Sequence, residues 1–242
     1  MAETIQAIVI KASDRKEKDK SILLFSLEKG KFWATLKGVK GANAKMKMAQ
    51  NPFCFGEFVV ENGKGGMIVT GFELSESFYE ITSDLDKFFE ATSILEIINS
   101  IEFSSNKEVA EVFVLLLKSL KTLCFSNVKN LYVLNKFLID YFTLVGLPLF
   151  SDRCSCCGTT SFSKLYINYL VGELVCVSCK NLNSQELIPS EYLALKILSS
   201  TSFDKLKTLS LAQGSERGLL KILVKNFETR FDKRLKLMGI LS

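Results

Sequence analysis

The chain has 242 residues, enough for one or two compact domains with a substantial core. Hydrophobic residues make up 48% and charged residues 24%, with only 3 Pro and 14 Gly, which excludes collagen-like, proline-rich and strongly disordered classes. The absence of histidine excludes imidazole triads, His metal ligands and imidazole acid/base chemistry, and a formal net charge of +5 is too ordinary to imply nucleic acid by itself.

Residues 5–74 carry apolar residues in short strand-like stretches, at 5–10, 21–27, 31–37, 53–60 and 67–74. Turn signals at Glu28-Lys29-Gly30 and around Gly63-Lys64-Gly65-Gly66 separate them, and a longer connection spans 38–51. Five strands with one long link before the fourth predict a small Greek-key barrel of the OB type, with an SH3-like barrel or an open five-stranded sheet as alternatives.

In the third stretch a period of two puts Phe32, Ala34 and Leu36 on the inner face and Lys31, Trp33, Thr35 and Lys37 on the outer one. OB folds bind oligonucleotides around strands two and three, where an aromatic ring stacks on bases and ammonium groups neutralise phosphates. The competing reading packs Trp33, the single tryptophan, beneath a neighbouring element. Lys29, Lys31, Lys37, Lys40, Lys45 and Lys47 follow one another with no acidic residue between 29 and 47. Such a run is too unbalanced for salt-bridge decoration. It is read as a nucleic-acid contact, against a flexible solvated loop.

After Ser83 the period becomes helical, and Ser83 with Asp86 forms a variant capping box. Helices are expected over 83–103, 106–125 and 127–144, the last ended by Gly146 and Pro148, and their apolar content predicts a bundle. Ser190 caps a further short helix, and a long one runs from 215 to about 238. Arg217, Lys221, Lys225, Lys233 and Lys236 of this last helix form either a solvated basic face or a second surface for DNA or an acidic peptide.

Between the helices lies Cys154-x2-Cys157, then 18 residues, then Cys176-x2-Cys179, the spacing of a paired zinc knuckle. Two such turns complete a tetrahedral four-thiolate shell with no open position, so the metal holds the fold rather than activating water. The stretches 164–170 and 173–176 around Val171-Gly172 read as a ribbon hairpin. A redox dithiol and four ordinary buried thiols are the alternatives. Cys156 competes with Cys157 for the shell, although only Cys157 preserves the two-residue spacing. Cys54 and Cys124 read as small apolar filler.

The longest apolar run is 112–117, far short of the roughly 20 residues of a membrane span. The first 20 residues are charged rather than signal-like, so a cytoplasmic location and no membrane partner are expected. Gly63-Lys64-Gly65-Gly66 lacks the spacing of a phosphate-binding P-loop, and the scattered carboxylates build no nuclease site. No enzyme is expected.

The order of these features is more specific than any one of them. The Lys37-Gly38 turn into a basic loop, the apolar bundle, Val145-Gly146-Leu147-Pro148 leading to Asp152-Arg153-Cys154-Ser155-Cys156-Cys157-Gly158, and Gly172-Glu173-Leu174-Val175-Cys176-Val177-Ser178-Cys179 together resemble the RecO family of bacterial recombination and repair mediators. The likeness covers nearly the whole chain, best at 31–41 and 146–179.

It implies an α+β multidomain protein: a five-stranded OB-fold barrel over 1–80, then a helical domain over 81–242 with a four-cysteine zinc insert at 150–182. It also implies binding of single- and double-stranded DNA, strand annealing without ATP, cooperation with RecR in loading the recombinase RecA, and docking of the acidic, apolar C-terminal tail of single-strand-binding protein. By position, Lys31, Lys37, Lys40, Lys45 and Lys47 match the family's basic region, and Cys154, Cys157, Cys176 and Cys179 its zinc ligands. The family often uses arginine in this loop; lysine throughout disfavours bidentate phosphate contacts. The alternative is a zinc-ribbon interaction adaptor that does not bind DNA directly.

Overall fold

A computed structural model describes residues 2–15, 18–41 and 44–236, with all their side chains except those of Lys40, Ala44 and Lys45. The chain divides into two compact units. The first runs to Ser83 and also takes in Ile101–Val114; the second comprises Asp84–Ser100 and the chain from Leu115 onward.

The first unit is built on a closed barrel of β1 (Ala2–Asp14), β2 (Lys20–Ser26), β3 (Gly30–Leu36), β4 (Phe55–Gly63) and β5 (Gly66–Glu76), in the order β1-β2-β3-β5-β4. Closure depends on β1. Its first half pairs with β4 and its second half with β2, and a register shift between Val9 and Lys11 bends it. One strand thus serves two edges and leaves none exposed. The seam between β3 and β5 is the one parallel pairing; the others are antiparallel. This is the OB-type barrel the strand pattern predicts, and closure disposes of the open sheet.

Alternation fills the interior: Val9, Ile22, Leu24, Leu36, Phe58 and Val60 are all buried there. The connection between β3 and β4 holds a 3-10 turn (Val39–Gly41) and a short helix, α1 (Ala44–Met48). Val39 and Ala49 are buried in the barrel core, and Met46 and Met48 pack against it. The link is therefore anchored at several points. Phe25, on the outward face of β2, is also buried; it stacks on Phe103 at 5.1 Å and meets Phe113 edge-on at 5.4 Å, both from the 101–114 segment.

The second unit contains α2 (Leu85–Ser100), the later part of α3 (Asn106–Phe125), α4 (Tyr132–Leu144), α5 (Pro189–Ser200) and α6 (Ser215–Phe231). Every residue from Tyr132 to Ile139 is buried, which makes α4 the central helix of this unit. Even Lys136 is enclosed, paired with Asp140 at 2.6 Å and lying over the Phe203 ring. Tyr141, Phe142, Phe227 and Phe231 form an aromatic cluster where α4 meets α6.

Helix α4 starts at Tyr132, five residues later than the apolar pattern suggests. Leu131 precedes it in the left-handed conformation (φ 67°) with no local side-chain cap. The cap comes from α2 instead: the buried carboxylate of Glu90 accepts the Leu131 N–H at 2.6 Å and the Leu134 N–H at 3.0 Å. Burial raises the Glu90 pKa to about 7, although those two backbone donors pull it down. Helix α6 stops at Phe231, where Asp232 turns left-handed (φ 50°); the expected extension to Met238 falls outside the described residues.

A small sheet interrupts these helices: β6 (Leu165–Asn168), β7 (Glu173–Cys176) and β8 (Ser184–Leu187), in the order β7-β6-β8. The expected ribbon hairpin is β6–β7, and β8 is an addition to it.

Candidate nucleic-acid face and metal centre

The outward face of β3 is not uniform. Leu36 and Ala34 point into the barrel as expected. At the opposite end of the strand from Lys37, the Lys31 ammonium donates to the Ile101 carbonyl and lies over the Phe103 ring, contacts within the first unit that hold the side chain without themselves neutralising its charge. Trp33 follows, 49% exposed and opposite Leu23 of β2. Thr35 is buried and accepts a hydrogen bond from the Arg15 guanidinium. Lys37 is exposed at the strand end. Gly38 then turns the chain in the left-handed region (φ 60°), where its N–H donates to Asp19 Oδ1 at 2.9 Å.

The lysine run therefore divides. Lys29 forms an ion pair with Glu3 at 2.8 Å, which corrects the expectation that no salt bridge would consume this run: closing the barrel brings β1 acids to it. Lys47 is exposed on α1. Lys40 lies in the 3-10 turn and Lys45 in α1, their side chains outside the described ones. The sequence pattern passed over Arg15. It sits in a stretch of mixed charge, and only the β1–β2 register brings it beside Thr35 of β3.

On α6, Leu220, Leu223 and Phe227 are buried as the apolar stripe predicts, and Arg217, Lys221 and Lys225 are exposed. Lys225 lies over the Tyr169 ring at 4.4 Å.

The two knuckles converge. The sulfurs of Cys154, Cys157, Cys176 and Cys179 all lie within 4.8 Å of one another, with Cys157 and Cys176 at 3.8 Å. A tetrahedral zinc with sulfur ligands at about 2.3 Å requires sulfurs about 3.8 Å apart, so the donor set fits such an ion. Backbone geometry adds to the fit. Burial opposes ionisation of Cys154, but the N–H groups of Cys157, Cys176 and Cys156 outweigh it and bring the thiol down to about 6. Cys179 is held high by the thiols around it, Cys176 first and then Cys156. Several thiolates this close need a cation between them.

Cys154 and Cys176 are buried with Tyr166 and Val175, and Phe162 packs on the cluster. Cys157 is exposed and Cys179 half-buried, which places the solvent side of the cluster at these two residues. Cys156 is exposed and outside the four-sulfur group. Cys54 and Cys124 are buried, as apolar filler would be, and burial pushes the Cys54 thiol up to about 11.

A closed OB-type barrel, a helical unit and a four-thiol ribbon define the class: a multidomain barrel protein with a closed site suited to a structural metal. The chain belongs to the RecO family. The family profile "Recombination protein O N terminal" matches residues 1–78, and "Recombination protein O C terminal" matches residues 82–238. The chain is 29% identical to the DNA repair protein RecO of Clostridium kluyveri, over 98% of this chain and 91% of that protein. It is also 29% identical to the protein of that name from Acetivibrio thermocellus, over 86% and 82% of the two chains, and 25% identical to that of Clostridium perfringens, over 97% and 96%. Its family thus places it in DNA repair. Among the described residues, no helix is long and apolar enough to cross a membrane.

Proposed function

We propose that this chain is a non-enzymatic recombination mediator that binds single- and double-stranded DNA, anneals complementary strands and helps load the recombinase onto DNA coated with single-strand-binding protein. In this reading the barrel, residues 1–80, is the DNA-binding domain, and residues 81–242 form a helical domain with a metal-binding insert at 150–182. The observation that carries it is the exposed Trp33 on β3, with Arg15 and the exposed Lys37 on the same barrel face, in a chain of this family. Trp33 stacks on a base while the cations neutralise phosphates. Annealing then requires no fuel: it follows from suppressing the repulsion between two polyanions and holding them at high effective concentration. RecR and the acidic, apolar tail of single-strand-binding protein are the proposed partners, and the nucleoid-containing cytoplasm the proposed location.

The metal is proposed to be zinc, which Cys154, Cys157, Cys176 and Cys179 would hold and which would crosslink the two knuckles. The protein's own residues do the rest. Cys154 is positioned by backbone N–H donors, including that of Cys176 at 3.4 Å, and the apolar contacts of Tyr166 and Val175 keep water from the inner side.

The test is a salt titration of binding to an unstructured single-stranded oligonucleotide. If Lys37, Lys40, Lys45 and Lys47 each meet one phosphate, the log-log slope is about −3. The double substitution Lys37→Glu, Lys47→Glu lowers both affinity and slope. No DNA binding at low salt returns the chain to the adaptor reading, and tight binding that is indifferent to this substitution overturns the assignment of the DNA contact to this barrel face.

A further inference from the structure

The DNA-binding role of the barrel leaves the basic face of α6 without a task. Arg217, Lys221 and Lys225 follow one another at four-residue intervals, so they stand in one row about 6 Å apart along the helix axis, and all three are exposed. Among the described residues none of the three forms an ion pair. Acids of this region are engaged with backbone instead: Glu228 accepts the Leu235 N–H at 2.8 Å and Glu191 the Ile188 N–H at 3.1 Å. Like charges at i,i+4 destabilise a helix, a cost that a bound polyanion relieves.

The row leads to a pocket of about 170 Å³, lined from α6 by Lys225 and by Thr229 one turn on. The ribbon lines the rest, with Tyr169 and Leu170 just after β6 and Leu182, Asn183 and Gln185 around the start of β8. Tyr169 fixes this junction: it is buried, its hydroxyl donates to Gln185 Oε1, and Lys225 lies over its ring at 4.4 Å. Leu182 is fully exposed and Leu170 mostly so. The Asn183 carboxamide and Gln185 Nε2 have no hydrogen-bond partner among the described residues. Such a pocket is smaller than the roughly 300–1,000 Å³ of a whole-ligand cleft, and suits one ring carried on a longer molecule. Apolar side chains cover the face of an unpaired base and carboxamides pair with its edge. An acidic peptide fits the row less well, because successive side chains of an extended chain point to opposite faces, whereas a strand offers one phosphate per nucleotide along a continuous edge.

We propose that α6 and the adjoining end of the ribbon form a second binding site for single-stranded nucleic acid, with successive phosphates along Arg217, Lys221 and Lys225 and one base in the pocket beside Leu182 and Gln185. The inference rests on the annealing reading above, which requires two strands to be held at once, and it gives the second strand its place.

The test uses the full chain and a short oligothymidylate carrying one 4-thiothymidine, with calorimetry for stoichiometry and photocrosslinking for location. The wild type is expected to bind two oligonucleotides at low salt, the second with a log-log salt slope of about −2 for three phosphate contacts. Crosslinks are expected in peptides 165–180 and 181–196, released by cleavage after Lys164, Lys180 and Lys196. Arg217→Glu with Lys221→Glu removes the second event and those crosslinks and slows annealing at least about tenfold, while the event sensitive to Lys37→Glu with Lys47→Glu persists. Arg217→Gln with Lys221→Gln, matched to the wild type in thermal unfolding, gives an intermediate loss. A single binding event in the wild type, a second event indifferent to the α6 substitutions, or crosslinks confined to the barrel overturns the proposal and leaves the barrel reading standing. Binding that survives the barrel substitution and not the α6 one does the reverse. If an acidic peptide rather than the oligonucleotide is held at α6, and charge reversal abolishes it, the surface is a peptide site and the proposal fails.

Discussion

Single side chains carry two opposite kinds of consequence in this protein. Trp33 contributes nothing to the barrel interior, so Trp33→Ala should leave thermal unfolding nearly unchanged while weakening single-stranded DNA binding by about 1–3 kcal/mol, read by fluorescence anisotropy. Glu90 acts on stability alone. Its folded-state pKa of about 7 lies above the ordinary 4.5, so the unfolded chain releases this proton first. The contribution is therefore complete below pH 4.5 and is lost as pH rises to about 7, a change of about 3 kcal/mol. Denaturant titrations at several pH values should show this fall in the wild type and a flatter profile in Glu90→Gln. The four clustered cysteines were legible residue by residue because the spacing within each knuckle is local. Arg15 and Glu90 were not, since each acts through a partner that only folding brings near: Thr35 for one, Leu131 and Leu134 for the other.

Among the elements, those with strong periodicity were legible. The five barrel strands and helix α3 follow from alternation or helical spacing alone. Helix α1, five residues within a lysine-rich link, has too little length to show a period. Strand β8 reads as a polar loop because Gln185 and Glu186 are exposed; what makes it a strand is pairing with β6. The start of α4 was misplaced because its cap belongs to a different helix. The ribbon is small: β6, β7 and β8 have four residues each and a small apolar cluster that includes Cys154 and Cys176. Chelating the proposed zinc should unfold this sheet, consistent with apparent binding energies of about 10–16 kcal/mol for structural zinc, while the barrel stays folded. Amide hydrogen exchange resolves the two, with protection lost at 165–187 and retained in β1 to β5.

For the whole molecule, a formal charge of +5 says little, and what matters is where folding leaves that charge. The order of motifs along the chain was enough to suggest the family. Which lysines keep an unpaired charge was not, because Lys29 meets Glu3 only once the first unit has formed. The link between β3 and β4 shows the other side of this selection. With Val39, Ala49, Met46 and Met48 set into the barrel, the peptide that carries Lys47 already has its course before any strand arrives. Association should then resemble docking on a rigid template rather than folding upon binding, and calorimetry across several temperatures should find only a small negative heat-capacity change.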